Sequence, residues 1–165
     1  MRLLPDASQQ AIIDVSRSVL ERDLYGEEET LELRWKRYAD VGLFGLGIPE
    51  EAGGAGLGMV EEALVAREVG RLLPSGPIVE TSLAAFATHV VDPELARRII
   101  DGRARVGLVV PLPARSPISS SKARVTYADV ADYFIALPDD ENATTRLYER
   151  SALHDVQQLS ALDPG

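Results

Sequence analysis

The chain has no cysteine among its 165 residues. That excludes a disulfide framework, thiolate zinc ligation and a cysteine nucleophile together, and it fits a reducing compartment. Histidine is nearly absent too. His89 and His154 have no second histidine at ligand spacing, so both are expected to be ordinary surface or boundary residues, with no metal site. Aromatic residues make up only 5%, which leaves a core of Leu, Ile, Val and Ala. Positive charge is scarce: the net charge is −9 and no basic tract occurs, so neither nucleic acid nor an anionic membrane is expected as a partner. No apolar run approaches a bilayer span, and "MRLLPDASQQ" lacks a signal-peptide core before its proline. The expected location is cytoplasmic.

What is present is a 45% apolar chain long enough for one domain, or for one domain and part of another. Asp6 or Ser8 caps a first helix, with Ile12, Val15, Val19 and Leu20 at three-to-four spacing until Tyr25-Gly26. A second helix runs from about Glu28 to Gly42, with Leu31, Trp35, Tyr38 and Ala39 on its apolar face. From Met59 a third sets Val65, Ala66, Val69, Leu72 and Leu73 against Glu61, Arg67, Glu68 and Arg71, and Pro74 ends it. Glu62 falls in the apolar stripe, where a carboxylate in the first turn suits the positive helix end. "IVETSLAAFATHVV" reads as a fourth helix. In "VDPELARRIIDG" a fifth has Asp92 as N-cap, Pro93 at the first helical position and Gly102 as the left-handed stop.

After Gly102 the texture changes to short β-branched runs: "RVGLVVPL", a loosely alternating "SSSKARVTYADV", and "ADYFIALP". "TRLYERSALHDVQQLS" has room for two further strands. The segregated order predicts an α+β chain, an N-terminal all-α helical bundle domain over 1–103 followed by a partial antiparallel β domain over 104–165. Four or five short strands ending in the turn-like "SALDPG" leave unpaired edges, so the β unit reads as incomplete.

The glycines of "IPEEAGGAGLG" raise the question of a phosphate loop. Dinucleotide fingerprints need a preceding strand and glycines at the first, third and sixth positions. Here a helix precedes, Met59 stands where the third glycine belongs, no Lys-Ser/Thr follows, and Glu50 and Glu51 repel phosphate. The reading is a helix-to-helix joint.

The stretch from Tyr38, "YADVGLFGLGIPEEAGGAGLGMVEEALVAREVGRLL", resembles the N-terminal helical domain of the acyl-CoA dehydrogenase family. Gly42-Leu43, the Pro49 to Gly54 loop, Glu61-Glu62 and Glu68 to Gly70 match that family's pattern in order. A second match is "KARVTYADVAD", Lys122 to Asp132, which is similar to a family stretch in which a tryptophan packs by the flavin ring and a threonine contacts it. The resemblance implies Thr126 as a flavin contact. Arg124 occupies the tryptophan position, where a guanidinium stacks on a ring, contacts a phosphate, or is simply solvated. The family's Thr-Glu-Pro and Gly-Ser-Asp motifs have no counterpart between Val110 and Lys122.

The resemblance implies FAD as cofactor, an acyl-CoA substrate undergoing α,β-dehydrogenation, and a homo- or hetero-oligomer. In the family the base is a glutamate of a C-terminal helical domain, and no glutamate here inherits that role by motif. The chain is thus expected to be a fragment or short subunit of a flavoprotein of lipid metabolism, inactive alone. A non-catalytic interaction module on the same helical scaffold is the competing expectation.

Overall fold

A computed structural model describes residues 4–25, 30–111, 123–137, 144–154 and 156. Among these residues five helices precede four strands: α1 (Ala7–Tyr25), α2 (Leu31–Asp40), α3 (Met59–Leu72), α4 (Ile78–Thr88), α5 (Pro93–Ile100), β1 (Val106–Pro111), β2 (Ala123–Val125), β3 (Tyr133–Ala136) and β4 (Arg146–Glu149). Helices followed by a sheet is the expected α+β order.

Local chemistry explains three of the helix starts. Asp6 caps α1 reciprocally with Gln9: the Gln9 N–H donates to Asp6 Oδ1 at 2.9 Å, and the Asp6 N–H to Gln9 Oε1 at 3.1 Å. Thr30 caps α2, so the helix begins directly after it, and the expected start near Glu28 lies outside the described residues. Asp92 caps α5 as expected, its Oδ1 accepting from the Leu95 N–H at 3.0 Å. The first and third helices are phased differently from the sequence reading. Ile13, Ser16 and Leu20 are buried among the described side chains of α1, while Val15 is exposed. On α3 and at its end, Ala66 and Leu73 face solvent and Glu68, expected on the outer face, is 1% exposed.

Two apolar cores result. One lies among the helices, with Leu20, Trp35, Tyr38, Leu43, Phe44, Val65, Leu72 and Ile78; Phe44 stacks on Trp35 with centroids 4.7 Å apart. The other joins α4 and α5 to the sheet through Ala84, Ala85, Leu95, Ile99, Val106 and Ile135. Thr81 ties these layers: its hydroxyl accepts the Val106 N–H at 3.0 Å.

The sheet order is β2-β1-β3-β4. β1 pairs antiparallel with β2, and β3 antiparallel with β4, but β1 and β3 run parallel, so the sheet is mixed where the sequence predicts antiparallel pairing. The reason is topological. β2 carries the chain back to the start of β1, a tight turn over Tyr127–Ala131 crosses beneath, and β3 sets off in the direction of β1. Asp132 pins that crossing, its N–H donating to the Arg105 carbonyl at 2.8 Å and its Oδ2 accepting the Arg105 N–H at 2.9 Å. After β4 a 3-10 turn at Arg150–Ala152 occupies part of the stretch expected to hold a second strand; most of the chain beyond it lies outside the described residues, as do "PISSSK" and the final turn.

Candidate functional site

The glycine joint is closed on itself. The N–H groups of Ala55, Gly56 and Leu57 donate to the carbonyls of Gly45, Ile48 and Leu46 at 2.9, 2.8 and 2.8 Å. Donors spent on the backbone are not available to cradle phosphate. A side chain at Gly54 would overlap the Ile48 carbonyl, so glycine here answers to a close backbone approach. Glu62 packs its carboxylate against Gly47, and Glu61 accepts from the Gly58 N–H at 3.1 Å and from Gln9 Nε2 at 2.8 Å. Those hydrogen bonds, Gln9 foremost, hold the Glu61 carboxyl below its ordinary pKa. The recess beside the joint, about 380 Å³ and lined by Pro49, Glu50, Glu51 and Leu57, is open and acidic.

Glu68 is the one strongly perturbed acid among the described residues. Arg17 Nε and Arg71 Nε both reach its Oε2 at 3.0 Å, and Arg67 Nη2 its Oε1 at 3.2 Å. The hydrogen bond from Arg17 is the largest cause holding its pKa down to about 2, against burial, which pushes the other way. A carboxylate so fully satisfied is a joint between α1 and α3, with no lone pair positioned for a substrate proton. Glu68 is therefore structural.

The sheet edge at β2 is different. In the register Val110 faces Arg124 and Val109 faces Val125, and one step further along the same direction Leu108 comes opposite Thr126. The Thr126 N–H donates to the Leu108 carbonyl at 2.9 Å, but the Leu108 N–H is accepted by Thr126 Oγ1, also at 2.9 Å, in place of the main-chain carbonyl. The Thr126 carbonyl lies instead against Gly107, where a Cβ would overlap it. Tyr127 follows in the left-handed region with φ 55°. Such a φ in a bulky residue is uncommon, and it is what turns the chain off the ladder.

Thr126 is half-buried and its hydroxyl, having spent one lone pair on Leu108, keeps its proton to donate. Arg124, two residues away along the same sheet edge, has an exposed side chain with no hydrogen-bond or ion-pair partner among the described residues. The sequence expectation thus brings together two donors at one sheet edge. A hydroxyl and a guanidinium suit a planar heteroaromatic ring with carbonyl and imine acceptors, so the donor set fits a flavin. Lys122 lies outside the described residues. His89 sits at the end of α4 with Nδ1 2.6 Å from the Phe86 carbonyl oxygen, and His154 is exposed.

Sequence reasoning passes over Gly107, Tyr127 and Glu80. A lone glycine inside the apolar run "RVGLVV" is the available signal for Gly107, since it marks a close backbone approach. Nothing local announces that Glu80, on α4, comes near Tyr127. The two elements meet through the Thr81–Val106 bond on one side and the Gly107–Thr126 contact on the other, and the Glu80 charge adds to burial in raising the Tyr127 pKa.

A helical unit feeding a mixed sheet, with polar donors at the sheet edge, defines an α+β protein with a candidate cofactor-facing rim. The profile described as "Acyl-CoA dehydrogenase, N-terminal domain" matches residues 6–103, and the chain belongs to the acyl-CoA dehydrogenase family. It is 31% identical over 157 residues to the acyl-CoA dehydrogenase FadE28 of Mycobacterium tuberculosis, an alignment covering 82% of this chain and 42% of that protein. Its fold matches the ChsE4-ChsE5 complex from Mycobacterium tuberculosis with a TM-score of 0.65 at 20% identity, over 90% of this chain and 49% of the matched chain. The FAD complex of PigA gives a TM-score of 0.63 at 16% identity, again over 90% and 49%. The chain thus spans about two-fifths of that curated relative and half of those solved chains. No helix among the described residues is long and apolar enough to cross a membrane.

Proposed function

We propose that this chain forms the N-terminal half of an FAD-dependent acyl-CoA dehydrogenase-like site, acting on an acyl-CoA thioester within a homo- or hetero-oligomer. The observation that carries this reading is the sheet edge at Thr126. Its hydroxyl is fixed by the Leu108 N–H, keeps a donor, and stands at the position that the family stretch assigns to a flavin contact. FAD, when bound, accepts the hydride lost from the β-carbon as the Cα–Cβ double bond forms. Thr126 would hold the ring by donating its hydroxyl proton to a ring acceptor, and Arg124, two residues away, would contact the ring or its phosphates. We assign the α-proton to a base that the family resemblance puts outside this chain; Glu68, the buried glutamate among the described residues, is consumed by three arginines and does not serve.

The oligomer finds support in the complexes among the matched structures, ChsE4-ChsE5 and Tcur3481-Tcur3483. A soluble, cytoplasmic role in lipid metabolism accords with the same family. Flavin retained by the native protein is the test: Thr126→Ala should weaken flavin binding about fivefold to tenfold, the worth of one hydrogen bond. Unchanged flavin binding in that variant would remove Thr126 from the site.

A second reading is a non-catalytic interaction module. Two observations favour it: the exposed Arg124 where the family stretch has tryptophan, and an apolar stripe on α4 that nothing within the described residues covers. It predicts no flavin in the native protein, with or without Thr126.

A further inference from the structure

Gly107 lies inside β1, and the room left by its missing side chain is in use. A Cβ there would overlap the Thr126 carbonyl, a main-chain group that no rotamer change can move, and would stand 3.0 and 3.1 Å from the edge of the buried Phe134 ring. Gly107 is not among the glycines with positive φ, so it answers to a close backbone approach and not to a special backbone angle.

That room bears on Thr126. In an antiparallel pair that exchanges both of its bonds, the Leu108 N–H would donate to the Thr126 carbonyl. Here the carbonyl has left the ladder for the space at Gly107, and Thr126 Oγ1 accepts the Leu108 N–H at 2.9 Å instead. A peptide unit is planar, so turning its carbonyl out of the ladder also sets the φ of the next residue. That residue is Tyr127, at φ 55°; the other non-glycine residue with positive φ among those described, Leu73, closes α3. The strain at Tyr127 and the room at Gly107 are two sides of one rotation. The far end of the turn is tied down: the Asp132 N–H donates to the Arg105 carbonyl at 2.8 Å, and Arg150 Nη1 donates to the Asp129 carbonyl at 3.0 Å. A group inserted at Gly107 therefore acts on Thr126 first.

We infer that Gly107 is a positioning residue for the proposed flavin contact: its missing side chain admits the Thr126 carbonyl, which seats the Thr126 hydroxyl on the Leu108 N–H with its proton left to donate. Gly107 acts through Thr126 and contacts neither ring nor substrate. This rests on the flavin reading above.

The test uses the native polypeptide containing these residues, with any subunit that copurifies, and reads FAD affinity together with hydrogen exchange at the Leu108 amide. Gly107→Ala and Thr126→Val should each weaken FAD binding about fivefold to tenfold, and the two together no further, because both remove the same hydrogen bond. Thr126→Val alone should speed Leu108 exchange at least about tenfold, and in the Gly107→Ala background it should have no effect. Phe134→Leu clears the ring from the space at Gly107 but leaves the Thr126 carbonyl there. Gly107→Ala should therefore still lose FAD when compared with Phe134→Leu alone, and this pair replaces the single variant if that variant does not fold. The inference is overturned if Gly107→Ala binds FAD as the wild type does, if the two losses multiply, or if Thr126→Val affects Leu108 alike in both backgrounds. It is also overturned if Gly107→Ala folds in neither background, since the glycine would then serve the sheet alone. A wild-type protein that binds no FAD at all instead brings down the dehydrogenase reading, and this inference with it.

Discussion

Helix α3 buries a carboxylate, whereas α4, the next helix in the chain, holds Val79, Leu83, Phe86 and Val90 toward solvent. Both depart from the expected amphipathic pattern, for opposite reasons. Glu68 is tolerated inside because three guanidiniums from α1 and α3 complete its hydrogen bonds within this chain. The α4 residues recur at positions i, i+4, i+7 and i+11 with 52%, 37%, 53% and 75% exposure, a stripe at helical spacing that runs just past the helix end. Scattered exposed apolar residues need no explanation, but an aligned stripe does. The Glu68 side of α3 is closed by residues of α1 and α3, whereas the α4 stripe is left uncovered by the described residues.

The largest expected effect tests the closed side. Glu68→Ala should cost about 3 kcal/mol of stability in urea denaturation, because it strips three arginines of their shared partner. The same residue sets an acid response. With its folded pKa lowered from 4.5 to about 2, Glu68 contributes stability that is fully present above pH 4.5 and is lost as the pH falls toward 2. The shift corresponds to about 3 kcal/mol. Denaturation curves across that window should show the loss in the wild type and a smaller loss in Glu68→Gln.

Next in size is the tie between the two layers. Thr81→Val keeps the shape but leaves the buried Val106 N–H without its acceptor, for a loss of about 2 kcal/mol. A change under about 0.5 kcal/mol would mean that the helix and sheet layers do not depend on that bond.

The smallest effect on stability belongs to the uncovered stripe. Leu83→Glu with Phe86→Glu should alter the stability of the isolated chain by no more than about 0.5 kcal/mol, since both side chains already face water. In size-exclusion chromatography of the native complex the same pair should abolish assembly. A large destabilisation of the isolated chain would show instead that the stripe packs within it.

Legibility in the sequence tracks the range of each interaction. Helix α5 is readable throughout because its signals, Asp92, Pro93 and Gly102, act over one turn. The phase of α1 is misleading at Val15, since Ser16 looks polar in sequence yet lies buried on the helix face that carries Ile13 and Leu20. Glu68 looks like an outer-face residue because Arg17, its strongest partner, is 51 residues away. Strand direction is likewise silent in a local pattern: an apolar run at Tyr133–Ala136 predicts a strand without saying that it runs parallel to β1. Thr126 and Arg124 come from an ordered family string, and the structure adds the geometry that the string could not: a hydroxyl standing in for a main-chain carbonyl.

The most direct measurement is spectroscopic. The native protein, purified with whatever subunits accompany it, should show flavin absorbance that bleaches anaerobically on addition of an acyl-CoA, and Thr126→Ala should diminish the flavin retained. A preparation with no flavin absorbance and no acyl-CoA-dependent bleaching would contradict the dehydrogenase reading and leave the interaction module standing.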